Sequence, residues 1–569
     1  MAVASGTLKV QPSCQKQRDP EPKNLSVFRR PASAGVTAPS CQLSDTAYVP
    51  SNAVQSGSAA YNREVTELEA LVGERLMFGL AGPTLTDTDI RLFRDTRAAG
   101  LILYRRNFES PEQHGRLLTA LESAVGRRLL VATDHEGGRI VMLGRGTTIF
   151  PDNLAAGIAG DDAFPYRQGL CEARELRRLG VDVNFAPVLD VLTDRYSPNI
   201  GIRSYGKDPA VVTRYGLARI KGMQQGGVSA CAKHFPGKGH SPLDAHLKLP
   251  TIDSTWAEMQ ATHLPPFVAA VAQGIDCLMT SHPVYPNLDP TRVPATFSRR
   301  IVHDCLREEL RFPGVIVSDD LEMGAIGETC PIGEATVRAA AAGHDLLLVC
   351  HTEPAQRAAA QALVEAYRSG ALPVGELEAS AARVRRLRER RSTRFEGGPP
   401  AAEPDAGALA RAIASRAVTV VAPGRPELRR ALNGRVAVVF PRFSDLAPRI
   451  TIEPEIAAEK AYIAGVFGSG GVTPETRLVG IEPTDAEIAA AAALADTADA
   501  TVLFLFDGHL YASNAKLLAE LQDRAHALAV VLMRDPYDVS MLKPGVLGIT
   551  AYGFRKCQLD AVVARLLHS

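Results

Sequence analysis

What the chain lacks narrows its function before any motif is read. In 569 residues no apolar run approaches the roughly 18 consecutive residues that a membrane-spanning helix needs. Net charge is also missing. With 63 basic residues against 63 acidic ones, nothing in the balance calls for nucleic acid or an anionic membrane as a partner. The nine cysteines are an odd number and form no Cys-x-x-Cys pair, so no disulfide framework is expected. Cys231, Cys277, Cys305 and Cys350 sit in or beside apolar stretches and read as buried free thiols. The N-terminus lacks the apolar core of a secretory signal, and up to about Tyr61 it is rich in Pro, Ser, Gln and charge. That composition predicts a disordered segment over 1–61 and, with the other absences, a soluble cytoplasmic protein.

What is present is regular alternation. The length is too great for one ordinary core, so two folded domains are expected. Short apolar, β-rich runs recur at Gly100–Tyr104, Leu129–Thr133, Val181–Val188, Ser229–His234, Cys277–Ser281, Val315–Ser318 and Asp345–Cys350. Between them lie segments with apolar residues at helical spacing, such as Tyr166–Leu179 and Ser298–Leu310. Strands buried on both faces and followed by helices predict an α/β fold with parallel strands, a (β/α)8 TIM-type barrel over 62–395. The basic run near the end of that region, within Glu376–Arg394, reads as a solvated helix face. A Pro/Gly/Ala linker follows at 396–407. The runs Ala417–Ala422, Val436–Phe440, Thr501–Phe506, Ala529–Met533 and Val546–Ala551 then predict a smaller α/β sandwich over 408–569. The GSGG at 468–471 is isolated and is weak evidence for a nucleotide.

Polar residues gather where the barrel runs end. They are Arg105–Arg106–Asn107, Asp134–His135–Glu136, Lys233–His234, Ser281–His282 and Ser318–Asp319–Asp320. In a barrel these ends open on one face, where active sites are built. One such cluster could simply begin a solvated loop; five favour a shared site.

The densest cluster runs from Lys233 to His246, a strand continuing into a Gly/Pro-rich loop. It admits three readings. His240, Asp244 and His246 could hold zinc, although their spacing matches no helical or finger pattern. The loop could be solvated and idle. Or Asp244 orients and charges the imidazole of His246, giving an acid/base that titrates near neutral pH. A second element, Phe312 to Met323, delivers adjacent carboxylates from a buried strand. Asp320 is expected to cap the following helix. Asp319, which ends the strand, can attack an anomeric carbon, with retention after two inversions.

These residues resemble glycoside hydrolase family 3. The resemblance rests on Lys233-His-Phe-Pro-Gly with Asp244-Ala-His246, and on Val317-Ser-Asp319-Asp-Leu-Glu-Met. It continues through Gly100-Leu-Ile-Leu-Tyr-Arg-Arg-Asn, Asp134-His-Glu-Gly-Gly-Arg, Val183-Asn-Phe-Ala-Pro-Val, Ile200-Gly-Ile-Arg203-Ser-Tyr-Gly and Ala295-Thr-Phe-Ser. Arg534-Asp-Pro-Tyr-Asp and Ile549-Thr-Ala-Tyr-Gly resemble the α/β domain of its longer members. The Asp-x-His pair is similar to that of the β-N-acetylglucosaminidase branch. The resemblance implies Asp319 as nucleophile, His246 as general acid and then base, and Asp244 as its orienting partner. It implies sugar contacts from Asp134, Arg203, Lys233 and His234. Arg139 is left unassigned. Two departures stand out: Met142 where the family has arginine, and Gly237-Lys-Gly-His240 where it has Gly-His-Gly-Asp.

The expectation is thus a retaining exo-acting β-N-acetylglucosaminidase, working on cell-wall (muropeptide) fragments or chito-oligosaccharides. No metal or organic cofactor is expected. The partner is a small carbohydrate, with no nucleic acid and no membrane, and oligomeric state is left open. Phosphorolysis is the alternative within enzymes, because an imidazole does not repel phosphate as a second carboxylate does. A non-catalytic sugar-binding protein is the alternative outside them.

Overall fold

Eight short parallel strands supply the frame on which the site is built. The structure is a computed structural model and describes residues 67–193, 197–241, 248–392 and 406–568. In chain order, β1 is Leu76–Gly79, β2 Gly100–Leu103 and β3 Leu130–Thr133. A two-stranded hairpin follows, β4 (His135–Gly137) and β5 (Ile140–Val141). The barrel then resumes with β6 (Val183–Asn184), β7 (Ser229–Phe235), β8 (Cys277–Thr280), β9 (Val315–Val317) and β10 (Leu347–Val349). The strand order is β10-β1-β2-β3-β6-β7-β8-β9, and a parallel bridge from Val317 to Leu346 joins the two ends.

Side-chain alternation explains why the runs are continuously apolar. Leu76 and Phe78 face the helical shell while Met77 points into the barrel, and Leu101 and Leu103 flank an inward Ile102 in the same way. Both faces are dry, so both sets of positions must be hydrophobic. Cys231, Cys277 and Cys350 line the barrel interior, Cys305 packs in the outer layer, and all four are buried and outside any disulfide. The helices between strands carry sequence-encoded ends. Helix Pro111–Val125, for example, starts at Ser110, whose hydroxyl accepts from Gln113, and stops at Gly126 with φ 68. No helix among the described residues is long and apolar enough to cross a membrane.

Two details differ from the sequence reading. β1 was not anticipated, because four apolar residues running straight out of a helical turn carry no period of their own. The basic face of helix Val374–Ser392 is not simply solvated. Arg388 grips Glu74 through two bonds of 2.7 and 3.0 Å, Arg383 binds Asp345 at 2.8 Å, and Arg390 pairs with Asp276. Asp345 and Asp276 stand just before β10 and β8, so these arginines bind the barrel at the end opposite the strand C-termini.

The second sheet has the order β11-β16-β15-β14-β12-β13, from Thr419–Ala422, Leu547–Thr550, Leu528–Leu532, Ala500–Leu505, Val436–Pro441 and Glu475–Val479. Only β11 runs antiparallel to its neighbour. Val438, Phe440, Val502, Phe504 and Val531 face one helical layer; Val439, Leu503, Leu505, Val530 and Leu532 face the other. The edge strand β13, Glu-Thr-Arg-Leu-Val, is half exposed, which is why its sequence gave no apolar run.

The second domain packs on the barrel. Leu409, Ala410 and Ile413 of helix Ala406–Ala417 join Phe150, Phe164, Tyr205 and Tyr215 in one apolar cluster. Arg555, fully buried, donates from Nε to the Gly138 carbonyl at 2.5 Å and from Nη1 to the Thr451 carbonyl at 2.6 Å. Thr451 itself donates to the Val141 carbonyl at 2.7 Å.

Candidate active site

The strand ends converge as their polar residues predict. After β3 the chain enters the β4–β5 hairpin, which Asn184 fixes by exchanging two bonds with the His135 backbone, at 2.9 and 2.8 Å. That places Asp134 and Glu136 side by side. After β7, Lys233 inserts its ammonium between them, 2.5 Å from Asp134 and 2.7 Å from Glu136. A short helical turn, Gly201–Arg203, brings Arg203 against Glu136 in a two-pronged pair at 2.8 and 2.7 Å, with a third bond to the Asn199 carbonyl at 2.5 Å. Behind Glu136, the fully buried Arg219 donates to its carbonyl at 2.6 Å.

Burial alone would favour the neutral form of each of these groups. Charge pairing overrides it for Glu136, which Arg203 and Lys233 hold well below the usual carboxylate range. Lys233 is raised above its ordinary value because Asp134 and Glu136 outweigh its desolvation. Asp134 is raised, by burial first and by the charges of Glu136 and Asp319, despite the bond to Lys233.

His234 is oriented by a residue that sequence reasoning missed. Its Nδ1 lies 2.7 Å from Asp190 Oδ2, and Asp190 Oδ1 accepts the backbone N–H of Lys238 at 2.7 Å. Asp190 follows the Asn-Phe-Ala-Pro-Val-Leu run at the end of β6, so it is one more polar residue at a strand end, two positions beyond the run considered. Glu136 and Lys238, to which the motifs assign no role, are also central, Glu136 to the Arg203–Lys233 cluster and Lys238 to Asp319.

Asp319 stands two residues past the end of β9, with its side chain 16% exposed, at a position held from both sides. Ser318 donates its N–H to the Leu346 carbonyl and accepts Leu348 N–H on its hydroxyl. Asp319 Oδ1 accepts the N–H of Asp320 at 2.9 Å, and Asp319 Oδ2 faces the Lys238 ammonium at 3.8 Å. Asp320 does not cap a helix as expected. The helix Gly324–Gly327 begins after Met323 instead. The Asp320 carboxylate accepts the Cys350 and Glu322 N–H groups at 3.2 Å and pairs with His351 at 3.0 Å. It therefore ties the loop that carries Asp319 to the end of β10. His282 completes the brace: Nε2 donates to the Asp320 carbonyl at 3.0 Å, Nδ1 meets Thr296 at 2.6 Å, and burial keeps the ring below its ordinary pKa.

The expected acid/base pair, Asp244 and His246, lies outside the described residues, and so do two of the three ligands of the zinc reading. The third, His240, has Nδ1 2.9 Å from the Thr193 hydroxyl. No group of three potential metal ligands occurs among the described residues. Met142 packs against the main core, and Arg145 reaches the Glu109 carbonyl at the surface; neither is in the Asp134–Glu136–Lys233–Arg203 network. Arg139 gives its N–H to Asp152 at 2.9 Å.

Chemically, two partly exposed carboxylates, Asp319 and Asp134, stand beside the buried Glu136, Lys233 and Arg203. Such an array suits a polyhydroxylated ligand, whose hydroxyls both donate and accept.

Comparison with known proteins agrees. Residues 65–387 match the model of the glycosyl hydrolase family 3 N terminal domain. A β-hexosaminidase of Idiomarina loihiensis is 37% identical over 317 residues, 55% of this chain and 92% of the relative. One from Thioalkalivibrio sulfidiphilus is 41% identical over 292 residues, 50% of this chain and 82% of the relative. A solved family 3 β-N-acetylglucosaminidase from a Paenibacillus species is 31% identical and superposes with TM-score 0.82, over 88% of this chain and 96% of that one. A matched domain model, relatives covered almost end to end, and a superposition spanning both domains have one meaning: the chain belongs to glycosyl hydrolase family 3.

Proposed function

We propose that this protein is a retaining, exo-acting β-N-acetylglucosaminidase. The observation that carries the reading is Asp319, a carboxylate fixed at the barrel mouth beside the Asp134–Glu136–Lys233–Arg203 network. The activity named for its relatives supports the same reading. In the proposed mechanism the terminal sugar is held by Asp134, Lys233, His234 and Arg203, with Asp319 beneath the anomeric carbon. His246, oriented by Asp244, protonates the leaving oxygen while Asp319 Oδ attacks C1 and the C1–O bond breaks. Water, losing its proton to His246, then attacks C1 and returns the electron pair to Asp319. Natural substrates in this reading are N-acetylglucosaminides from cell-wall fragments or chito-oligosaccharides, and no metal or organic cofactor takes part.

The test is the first-formed product of an aryl β-N-acetylglucosaminide, followed by NMR with and without phosphate. The reading predicts the β-anomer of free N-acetylglucosamine under both conditions, and loss of turnover in Asp319→Ala. First appearance of the α-anomer overturns retention. Formation of a sugar 1-phosphate replaces hydrolysis with phosphorolysis, and full activity in Asp319→Ala removes the nucleophile.

A further inference from the structure

The loop after β7 places a second lysine beside Asp319. Its path is fixed at several points. Lys238 N–H donates to Asp190 Oδ1 at 2.7 Å, and the Tyr285 hydroxyl donates to the Gly237 carbonyl at 3.0 Å. Gly239 passes so near Val191 that a Cβ there would stand 1.8 Å from its carbonyl oxygen, so only glycine allows this approach. The Lys238 side chain is thereby turned inward. The residue is 2% exposed, and its ammonium lies 3.8 Å from Asp319 Oδ2.

The two site lysines differ in what they serve. Lys233 is held between Asp134 and Glu136. The Lys238 ammonium instead faces one oxygen of the Asp319 side chain, while Asp320 N–H covers the other. Of the other charged groups around Asp319, Asp134, Glu136 and Asp320 are acidic, Lys233 and Arg203 are cations paired with Asp134 and Glu136, and burial pushes the His282 ring below its ordinary pKa. Like charges on two sides and partial burial both push a carboxylate toward protonation; a nearby ammonium opposes them.

We infer that Lys238 is a positioning residue for the nucleophile, its ammonium holding the Asp319 carboxylate ionised and oriented at acid pH. The inference rests on the proposed role of Asp319. Burial lowers the Lys238 pKa, and the Asp319 charge is the largest influence raising it again, so the two groups depend on each other.

The experiment is the pH dependence of kcat/KM for an activated aryl β-N-acetylglucosaminide, which reports groups of the free enzyme and needs little leaving-group protonation. Wild type is compared with Lys238→Met and Lys238→Arg. In Lys238→Met the acid limb is expected to move up by about one pH unit or more, the scale set by removing an adjacent opposite charge. Lys238→Arg is expected to keep the wild-type limb. A purely structural role would scale the profile down without moving it, and an unmoved limb in Lys238→Met overturns the inference. Should Lys238→Met fail to fold, Lys238→Gln carries the same comparison. If Asp319→Ala stays active, the functional reading fails; if it is inactive and the limb does not move, only the role of Lys238 fails.

Discussion

Glu136 gathers the buried cations beside Asp319, pairing with Arg203 at 2.8 and 2.7 Å and with Lys233 at 2.7 Å. The chain shows that Asp319 ends an apolar run and that Lys233 and Asp134 end others, and the structure joins the last two at 2.5 Å. It does not show that Glu136 is the hub, because pairing with Arg203 joins residues 67 positions apart. Nor does it show that Asp320 reaches to Cys350 and His351, since capping and cross-strand bracing look the same in sequence. Glu136 yields a sharp prediction. Glu136→Gln leaves Arg203 and Lys233 short of a buried counter-charge, an effect of about 3–5 kcal/mol on stability when such a pair is broken. If the same cations position the sugar as proposed, KM rises by about tenfold or more at a temperature where the variant is folded. Steady-state kinetics beside a thermal melt checks both.

At the scale of the element, the barrel strands were legible because burial on both faces leaves continuous apolar runs. β1 and β13 were not, one being short and one half exposed. The Arg-rich helix Val374–Ser392 misled for another reason: a charge run reads as solvated unless its carboxylate partners, Glu74, Asp276 and Asp345, are known to lie beneath it. The turn before β10 also sets a pH response. His344 is wholly buried, with Nδ1 donating to the Ala339 carbonyl and Nε2 accepting from Thr280, and burial pulls its pKa down to about 4. The native state then binds fewer protons than the unfolded chain between about 4 and an ordinary histidine value near 6.5. Stability is therefore complete above that range and declines as pH falls through it. His135, pulled to about 3, and His263, pulled to about 4, act in the same direction. Between pH 7 and pH 5 the melting temperature should fall in wild type, and fall less in His344→Gln. An equal decline in both would assign the acid response to other groups.

For the whole molecule, the curated relatives match 50–55% of the chain, whereas the Paenibacillus enzyme matches 88% of it and so spans both domains. The second domain here touches the segments that carry the site. Arg555 holds the Gly138 carbonyl, Thr451 holds that of Val141, and Asp535 packs against Gly201, where a Cβ would stand 2.1 Å from its carboxylate. Those contacts fall on the hairpin that follows Asp134 and on the turn that delivers Arg203. Arg555→Ala should accordingly raise KM by severalfold with a smaller change in kcat, as loosened positioning of the sugar requires. A role confined to stability would lower the melting temperature and leave KM unchanged.

The proposed mechanism passes through a covalent bond between the sugar and Asp319. The direct measurement is mass spectrometry of enzyme quenched during turnover of an aryl β-N-acetylglucosaminide, followed by peptide mapping. The expected result is a single N-acetylhexosaminyl adduct on the peptide containing Asp319, absent in Asp319→Ala. An adduct mapping to a different residue would contradict the account.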